Sequence, residues 1–270
     1  GEGHRMAESR GALLLNLVVT YGPELRFVPP ARRPLALSFP ATGPLAKLAG
    51  RLLPWVPRSM LTHLVKRLLV TWQHPENRLF DDGALLVNQD GHQFCDATKW
   101  PEREIAVSRQ PGKIAYILLD ESLTDRYSRW PHVISTAPEI AYAYVQDYLR
   151  LRPDVAVSGA SLEQVAKQRG IPIENLRPSA DAGAAPARDS NRRDGRWTLL
   201  GPVNAYFTTT EGGLACDGDF RVLRDDGWPI EGLYAVGQVG LNGQILWGHG
   251  LHIAWAMTSG RLAGKVVSKK

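Results

Sequence analysis

The chain has 270 residues, 44% of them hydrophobic and 22% charged, a balance that supports a buried core in one large or two ordinary domains and excludes global disorder. No apolar run reaches the roughly 20 residues that a membrane-spanning helix needs, and no charged-then-apolar leader is present. The net charge of +5 comes from Lys and Arg scattered among aromatics, as at Arg51, Arg58, Lys66 and Arg67 near Trp55 and Trp72. It reads as solvated surface charge, without a motif for nucleic-acid binding.

Two cysteines, Cys95 and Cys216, stand far apart with no metal-ligand spacing. They exclude a disulfide framework and a metal centre, and they fit a reducing, cytoplasmic setting.

Along the chain, Gly1-Glu2-Gly3 leads into a short helical pattern over residues 4–10 and a turn at Gly11. The apolar run 12–19 then reads as a buried strand, so the chain opens abruptly, as though inside a domain. Proline-rich turns are expected over 29–57, and apolar spacing predicts a helix over 60–72. Residues 83–88, a turn at Gln89-Asp90-Gly91 and residues 92–94 form an expected hairpin, with Asp-Gly supplying the positive φ of a tight turn. A strand is expected over 113–119 and a helix over 140–150. Ser161-Leu162-Glu163-Gln164 is a capping-box pattern that opens another helix, and Gly170 is placed to end it. Residues 179–196 have little to bury and read as a mobile surface loop. A hairpin follows around Asp225-Asp226-Gly227, then a strand over 233–236, a Gly/Asn-rich loop over 237–248 and a final helix over 250–267.

That last strand–loop–helix unit carries the clearest chemistry. A helix start stripped of bulky side chains offers free backbone N–H groups and the positive end of the dipole, which hold an anion or a polarised carbonyl. An ordinary βα unit has the same pattern, so the residues themselves decide. PIEGLYAVGQ (229–238) and GHGLHIAWAMTSGRLAG (248–264) resemble the C-terminal signature of the succinate dehydrogenase/fumarate reductase flavoprotein superfamily, which includes ketosteroid dehydrogenases and L-aspartate oxidases. Two further stretches resemble the same family in the same order. GEGHRMA (1–7) is similar to its Gly-Asp-Gly-x-x-Met-Ala helix start, and LVNQDGHQF (86–94) to its cap-domain hairpin.

The resemblance implies an α/β fold, with a partial FAD-binding (Rossmann-like) domain and an inserted α+β cap domain. Residues 1–24 and 197–270 would form the FAD-binding parts and 25–196 the cap. It implies FAD as the cofactor, with Glu2 on cofactor hydroxyls or capping its helix, and Gly237 and Gln238 where members bind the sugar-alcohol chain. Gly212 and Gly213 would line the flavin face. Gly248, His249, Gly250 and Leu251 would bring backbone close to the ring. A dicarboxylate clamp needs cations, yet Thr208 stands where fumarate reductases have a histidine, and residues 239–246 contain neither His nor Arg. The implied activity is therefore hydride transfer between FAD N5 and a carbon of a mainly apolar small molecule, near Ile245, Leu246 and Trp247.

The catalytic candidates are Arg103, His252 and Tyr206. Arg103 is alternatively an ion pair with Glu102 or Glu104, Tyr206 a wall or core residue, and His249 and His252 helix-cap or packing groups. The family's Gly-x-Gly-x-x-Gly turn, which grips pyrophosphate, does not occur in the sequence. An N-terminal segment or a partner subunit would then supply it. The competing reading is a cofactor-free remnant that keeps the fold as an interaction module.

Overall fold

The computed structural model describes residues 1–31, 42–137, 139–182, 195–246 and 249–269. The chain divides into two compact units, unit 1 (Gly1–Pro23 with Phe207–Lys270) and unit 2 (Glu24–Tyr206). Unit 1 opens with α1 (Glu2–Glu8), β1 (Leu14–Leu15) and β2 (Thr20–Tyr21). Unit 2 begins with β3 (Glu24–Phe27), α2 (Pro44–Leu52), α3 (Arg58–Trp72), α4 (Arg78–Asp81) and β4 (Leu85–Val87). It continues through α5 (Glu102–Ser108), β5 (Ile114–Leu119), α6 (Glu121–Arg126), β6 (Ser135–Ala137), β7 (Ala141–Ala143) and α7 (Val145–Leu151). It ends with β8 (Ala156–Gly159), α8 (Leu162–Arg169), α9 (Ile173–Ala182) and β9 (Trp197–Tyr206). The chain returns to unit 1 for β10 (Thr209–Thr210), β11 (Gly213–Leu214), β12 (Arg221–Leu223), β13 (Pro229–Tyr234) and α10 (His249–Val267).

The continuous apolar run of β5 is what a strand covered on both faces requires. Successive side chains point to opposite faces. Accordingly Ala115, Ile117 and Leu119 join one core cluster with Phe27, Leu86 and Val203, while Leu118 joins a second with Val87, Leu199 and Val165. The sheet order is β3-β9-β5-β4, with β8 also pairing β9, and every pairing is antiparallel. The fold is thus mixed helix and sheet. Residues 197–206, expected with the C-terminal part, form the central strand of unit 2, where Thr198–Gly201 are buried in succession, Leu200 in one core cluster and Leu199 in the other.

Several local expectations change. Of the run 12–19 only Leu14–Leu15 is strand, paired with Leu214 and Gly213, and Val18 is fully exposed. Within the expected proline turns, residues 44–52 are helical. Pro44 opens α2, a position where a missing N–H costs nothing. Residues 92–94 touch β4 by a single bridge, Val87 to Gln93, because β4 gives its ladder to β5. Ala141–Ala143, expected as helix, pair with β6. Residues 179–182, expected as loop, complete α9, and 183–194 lie outside the described residues.

Burial sets the reactivity of both thiols. Burial pushes Cys216 up to about 11, with Asp217 adding to it, and burial pushes Cys95 up to about 11 against the pull of Arg103. At pH 7.5 roughly one molecule in a thousand then carries either thiolate, which is the reactive form. Both cysteines are free. Iodoacetamide is expected to leave both unlabelled in the folded protein and to label both in urea. Rapid labelling of either in the native state would refute this.

Candidate functional site

In unit 1 the segment 237–246 is held against α10 and β10 by polar contacts that start from one buried acid. Glu211, 1% exposed, follows β10 directly. Its Oε1 lies 3.0 Å from His252 Nε2, and its Oε2 accepts the Leu246 N–H at 2.9 Å. His252 projects from the first turn of α10, and its Nδ1 lies 3.0 Å from Gln238 Oε1. Gln238 Nε2 in turn donates to the Thr210 carbonyl, which fixes the direction of the amide. Both ring nitrogens of His252 therefore lie within hydrogen-bond distance of side-chain oxygens. Thr209 Oγ1, at 3.4 Å from Nε2, completes the surround.

The rest of the segment is pinned as tightly. Gly237 N–H donates to Ser259 Oγ at 2.9 Å, and its carbonyl accepts from Trp255 Nε1 at 3.1 Å. Asn16 Nδ2 donates to the Gly243 carbonyl at 2.6 Å. Gly212 (φ +77°) and Gly213 (φ +143°) let three backbone stretches close together. A Cβ on Gly212 would overlap the Leu15 carbonyl, and one on Gly213 would lie 2.7 Å from the Val239 carbonyl oxygen. An added side chain at either glycine would thus meet the chain's own backbone.

The remaining expected residues divide. Gly237, Gln238 and His252 come together around Glu211, and Gly250 and Leu251 sit in the first turn of α10. Glu2 is an exposed acid in the first turn of α1 and makes no side-chain cap. Gly248 and the side chain of His249 lie outside the described residues, as does Trp247. Tyr206 ends β9 in unit 2 and is exposed.

Arg103 corrects the sequence expectation most clearly. It is 3% exposed, and its ion pair with Glu104 is a core feature of unit 2 where a surface pair was expected. Nε donates to Glu104 Oε1 at 2.9 Å, Nη1 to the Ala97 carbonyl at 3.0 Å and Nη2 to Asn77 Oδ1 at 2.6 Å. The guanidinium stacks 4.2 Å from the Phe80 ring centre. With every nitrogen engaged, Arg103 ties α5 to Asn77 and the Ala97 carbonyl. Glu211 is the residue that sequence reading passed over. Its signal was an acid set between threonines and a glycine pair, where nothing local pairs with it.

These residues fit the polar edge of a flavin. The space that a side chain on Gly250 would take is open, and the first amides of α10 have no partner within the helix. Thr208 Oγ1 is buried without a hydrogen-bond partner among the described residues.

Comparison with known proteins agrees. The FAD binding domain family matches residues 35–249. The 4-oxocyclohexanecarboxylate 2-dehydrogenase of Sinomonas cyclohexanicum is 26% identical over 228 residues, covering 69% of this chain and 37% of that protein. The probable fumarate reductase Ifc3 of Shewanella frigidimarina is 28% identical over 203 residues, covering 69% of this chain and 31% of that protein. The chain spans about a third of the length of these curated relatives. The open conformation of a flavocytochrome c3 fumarate reductase matches in fold, with a TM-score of 0.58 at 22% identity over 100% of this chain and 40% of that one. The chain belongs to the FAD binding domain family, within the succinate dehydrogenase/fumarate reductase superfamily of flavoproteins, and its cofactor is FAD.

Proposed function

We propose that the flavoprotein moves a hydride between a carbon of a mainly apolar, cyclic substrate and N5 of FAD, as a C–C desaturation or the reduction of an enone. The observation that carries this reading is the make-up of residues 239–246. They hold neither His nor Arg, so a dicarboxylate has no bidentate cation partner there, while Ile245 is exposed. The relative named for 4-oxocyclohexanecarboxylate supports a cyclic ketone as the substrate class.

Bound FAD supplies the two-electron acceptor or donor. Unit 1 is the FAD-binding part, with Glu2, Gly237, Gln238, Gly250 and Leu251 toward the cofactor, and with Gly212 and Gly213 letting the segment close. Unit 2 is the substrate cap. His252 acts as a positioning residue, since Glu211 and Gln238 take both ring nitrogens. The phenol of Tyr206, exposed at the end of β9, passes the proton that accompanies the hydride. The pyrophosphate of FAD is held by a Gly-x-Gly-x-x-Gly turn on polypeptide outside residues 1–270, either a further segment or a partner subunit.

Turnover by the FAD-loaded protein tests this, with 4-oxocyclohexanecarboxylate, cyclic enones and 3-ketosteroids set against fumarate. A cyclic ketone or enone is expected to react, and Tyr206→Phe to lower kcat about 100-fold with KM little changed. Turnover of fumarate alone overturns the reading. So does a protein that stays colourless with FAD and its pyrophosphate-binding partner, which would leave the fold as an interaction module.

A further inference from the structure

The part of the sequence richest in basic residues includes a helix whose apolar face is uncovered. Between Glu24 and Glu76 the sequence has eight Lys and Arg and no Asp or Glu. The whole chain is +5 and this stretch alone is +8, so the remainder is net −3. The charge that looked scattered is segregated.

Within this stretch α2 buries no residue. Leu45, Leu48 and Leu52 recur at helical spacing on one face, and each is more than half exposed. Lys47 and Arg51, one turn apart, lie on the other side of the same helix. Trp55, 83% exposed, marks the bend into α3, and Met60 and Leu64 extend the apolar face along the outer side of that helix. The inner side of α3 anchors the arm through Leu69 and Val70, both in the core. Arg152 Nη1 bonds the Val70 and Thr71 carbonyls at 2.7 and 2.8 Å, and Lys66 pairs with Asp147 at 2.9 Å. One face of the arm is built into the protein and the other is left to something else.

A soluble helix places such a stripe against a core, and a helix of nine residues has little stability of its own without cover. A second copy of the chain placed face to face on the stripe would set cations against cations, which opposes that association. A nucleic acid would meet the cations and leave the leucines in water. An apolar face flanked by Lys and Arg, with an exposed Trp at its edge, matches the boundary between headgroups and acyl chains of an anionic bilayer.

We propose that α2, the bend at Trp55 and the outer side of α3 form a monotopic docking surface for an anionic lipid membrane. The leucines and Trp55 insert into the boundary layer, and Lys47, Arg51 and Arg67 meet the headgroups. No helix among the described residues is long and apolar enough to cross a membrane, so the attachment is peripheral and reversible. The inference stands independently of the substrate.

Co-sedimentation of the FAD-loaded full-length protein with vesicles of phosphatidylcholine, with and without 30 mol% phosphatidylglycerol, tests it. Binding is expected to the anionic vesicles, weakly to the neutral ones, and to fall as salt rises from 0.1 to 0.5 M. Lys47→Glu with Arg51→Glu is expected to lower partitioning by roughly 25-fold or more, at about fivefold for each of the two cations lost near the surface. Leu48→Ser with Leu52→Ser, which keeps Trp55 as the reporter, is expected to abolish insertion, read as loss of Trp55 quenching by brominated lipid. None of these side chains is buried, so circular dichroism and flavin absorbance are expected to match the parent. Failure to bind anionic vesicles overturns the proposal, as does variant binding equal to the parent. A parent protein that dimerises through this face, with variants that are monomeric, also overturns it and assigns the surface to a second copy.

Discussion

Glu211→Ala is expected to destabilise the protein by about 2–4 kcal/mol, since it leaves two hydrogen-bonding groups without their acceptor at about 1–3 kcal/mol each. The carboxylate is 1% exposed and satisfies two groups at once, His252 Nε2 and the Leu246 N–H. Without it the ring and the amide lose their shared acceptor. The Leu246 end of the segment also loses its link to His252 of α10, so FAD affinity is expected to fall with stability. Glu211→Gln keeps one acceptor oxygen and is expected to cost about 1–2 kcal/mol. Urea denaturation followed by circular dichroism reads the first effect, and titration of apoprotein with FAD reads the second. A Glu211→Ala variant within 0.5 kcal/mol of the parent, a bound set roughly at the scatter of surface substitutions, would show that the cluster carries no energy. A double-mutant cycle with His252→Ala is expected to give a coupling of about 1 kcal/mol or more.

Arg103→Met is the second large effect, expected at about 3–5 kcal/mol near neutral pH, the usual range when one partner of a buried ionic pair is removed. It strands Glu104, whose carboxyl burial already pushes above the ordinary carboxylate value even with Arg103 beside it. The sign here is opposite to the common case of a depressed carboxyl. A carboxyl whose folded pKa is raised opposes folding above that pKa and stops doing so as pH falls through it. Removing the guanidinium raises it further, so the deficit of Arg103→Met is expected to shrink between pH 8 and pH 5. Adding Glu104→Leu removes the stranded acid and is expected to recover all but about 1 kcal/mol. Equal deficits at both pH values, or a double variant no better than the single, would refute the account. Because Arg103 is buried in the core of unit 2, KM is expected to stay unchanged in variants that fold, which separates this role from a catalytic one.

The contrast between these two residues shows what the sequence could reveal. Signals contained within a few residues were legible. Ser161 Oγ accepts the Gln164 N–H to open α8 and Gly170 closes it at φ +65°. The turn around Gly227 joins β12 to β13, and α10 begins within one residue of its expected start. What depends on distant partners was not legible. Ala141–Ala143 carry no local strand signal and become a strand because β6 is alongside. Glu211 has its partners 35 and 41 residues away. Arg103 was seen with its neighbour Glu104, but nothing in the sequence says that the pair is buried over Phe80. The family resemblance singled out the segment as the one expected near the flavin. The identity of the acid that fixes it emerged only from the packing.

β9 sets the order in which the protein can form. It is the shared edge of β3, β5 and β8, and its last residues pair with the first strand of unit 2, Glu24 with Tyr206 and Phe27 with Val203. At ordinary synthesis rates of roughly 5–20 residues per second, Leu25 and Phe27 leave the ribosome some 10–40 seconds before their partners exist. β3 waits through that whole interval, and the β9-facing edges of β5 and then β8 join it as they are made. The completed sheet arises late and from long-range contacts, the condition under which folding is slow. Yield in a recombinant host is therefore expected to depend on chaperone supply and growth temperature, even where the finished protein is stable.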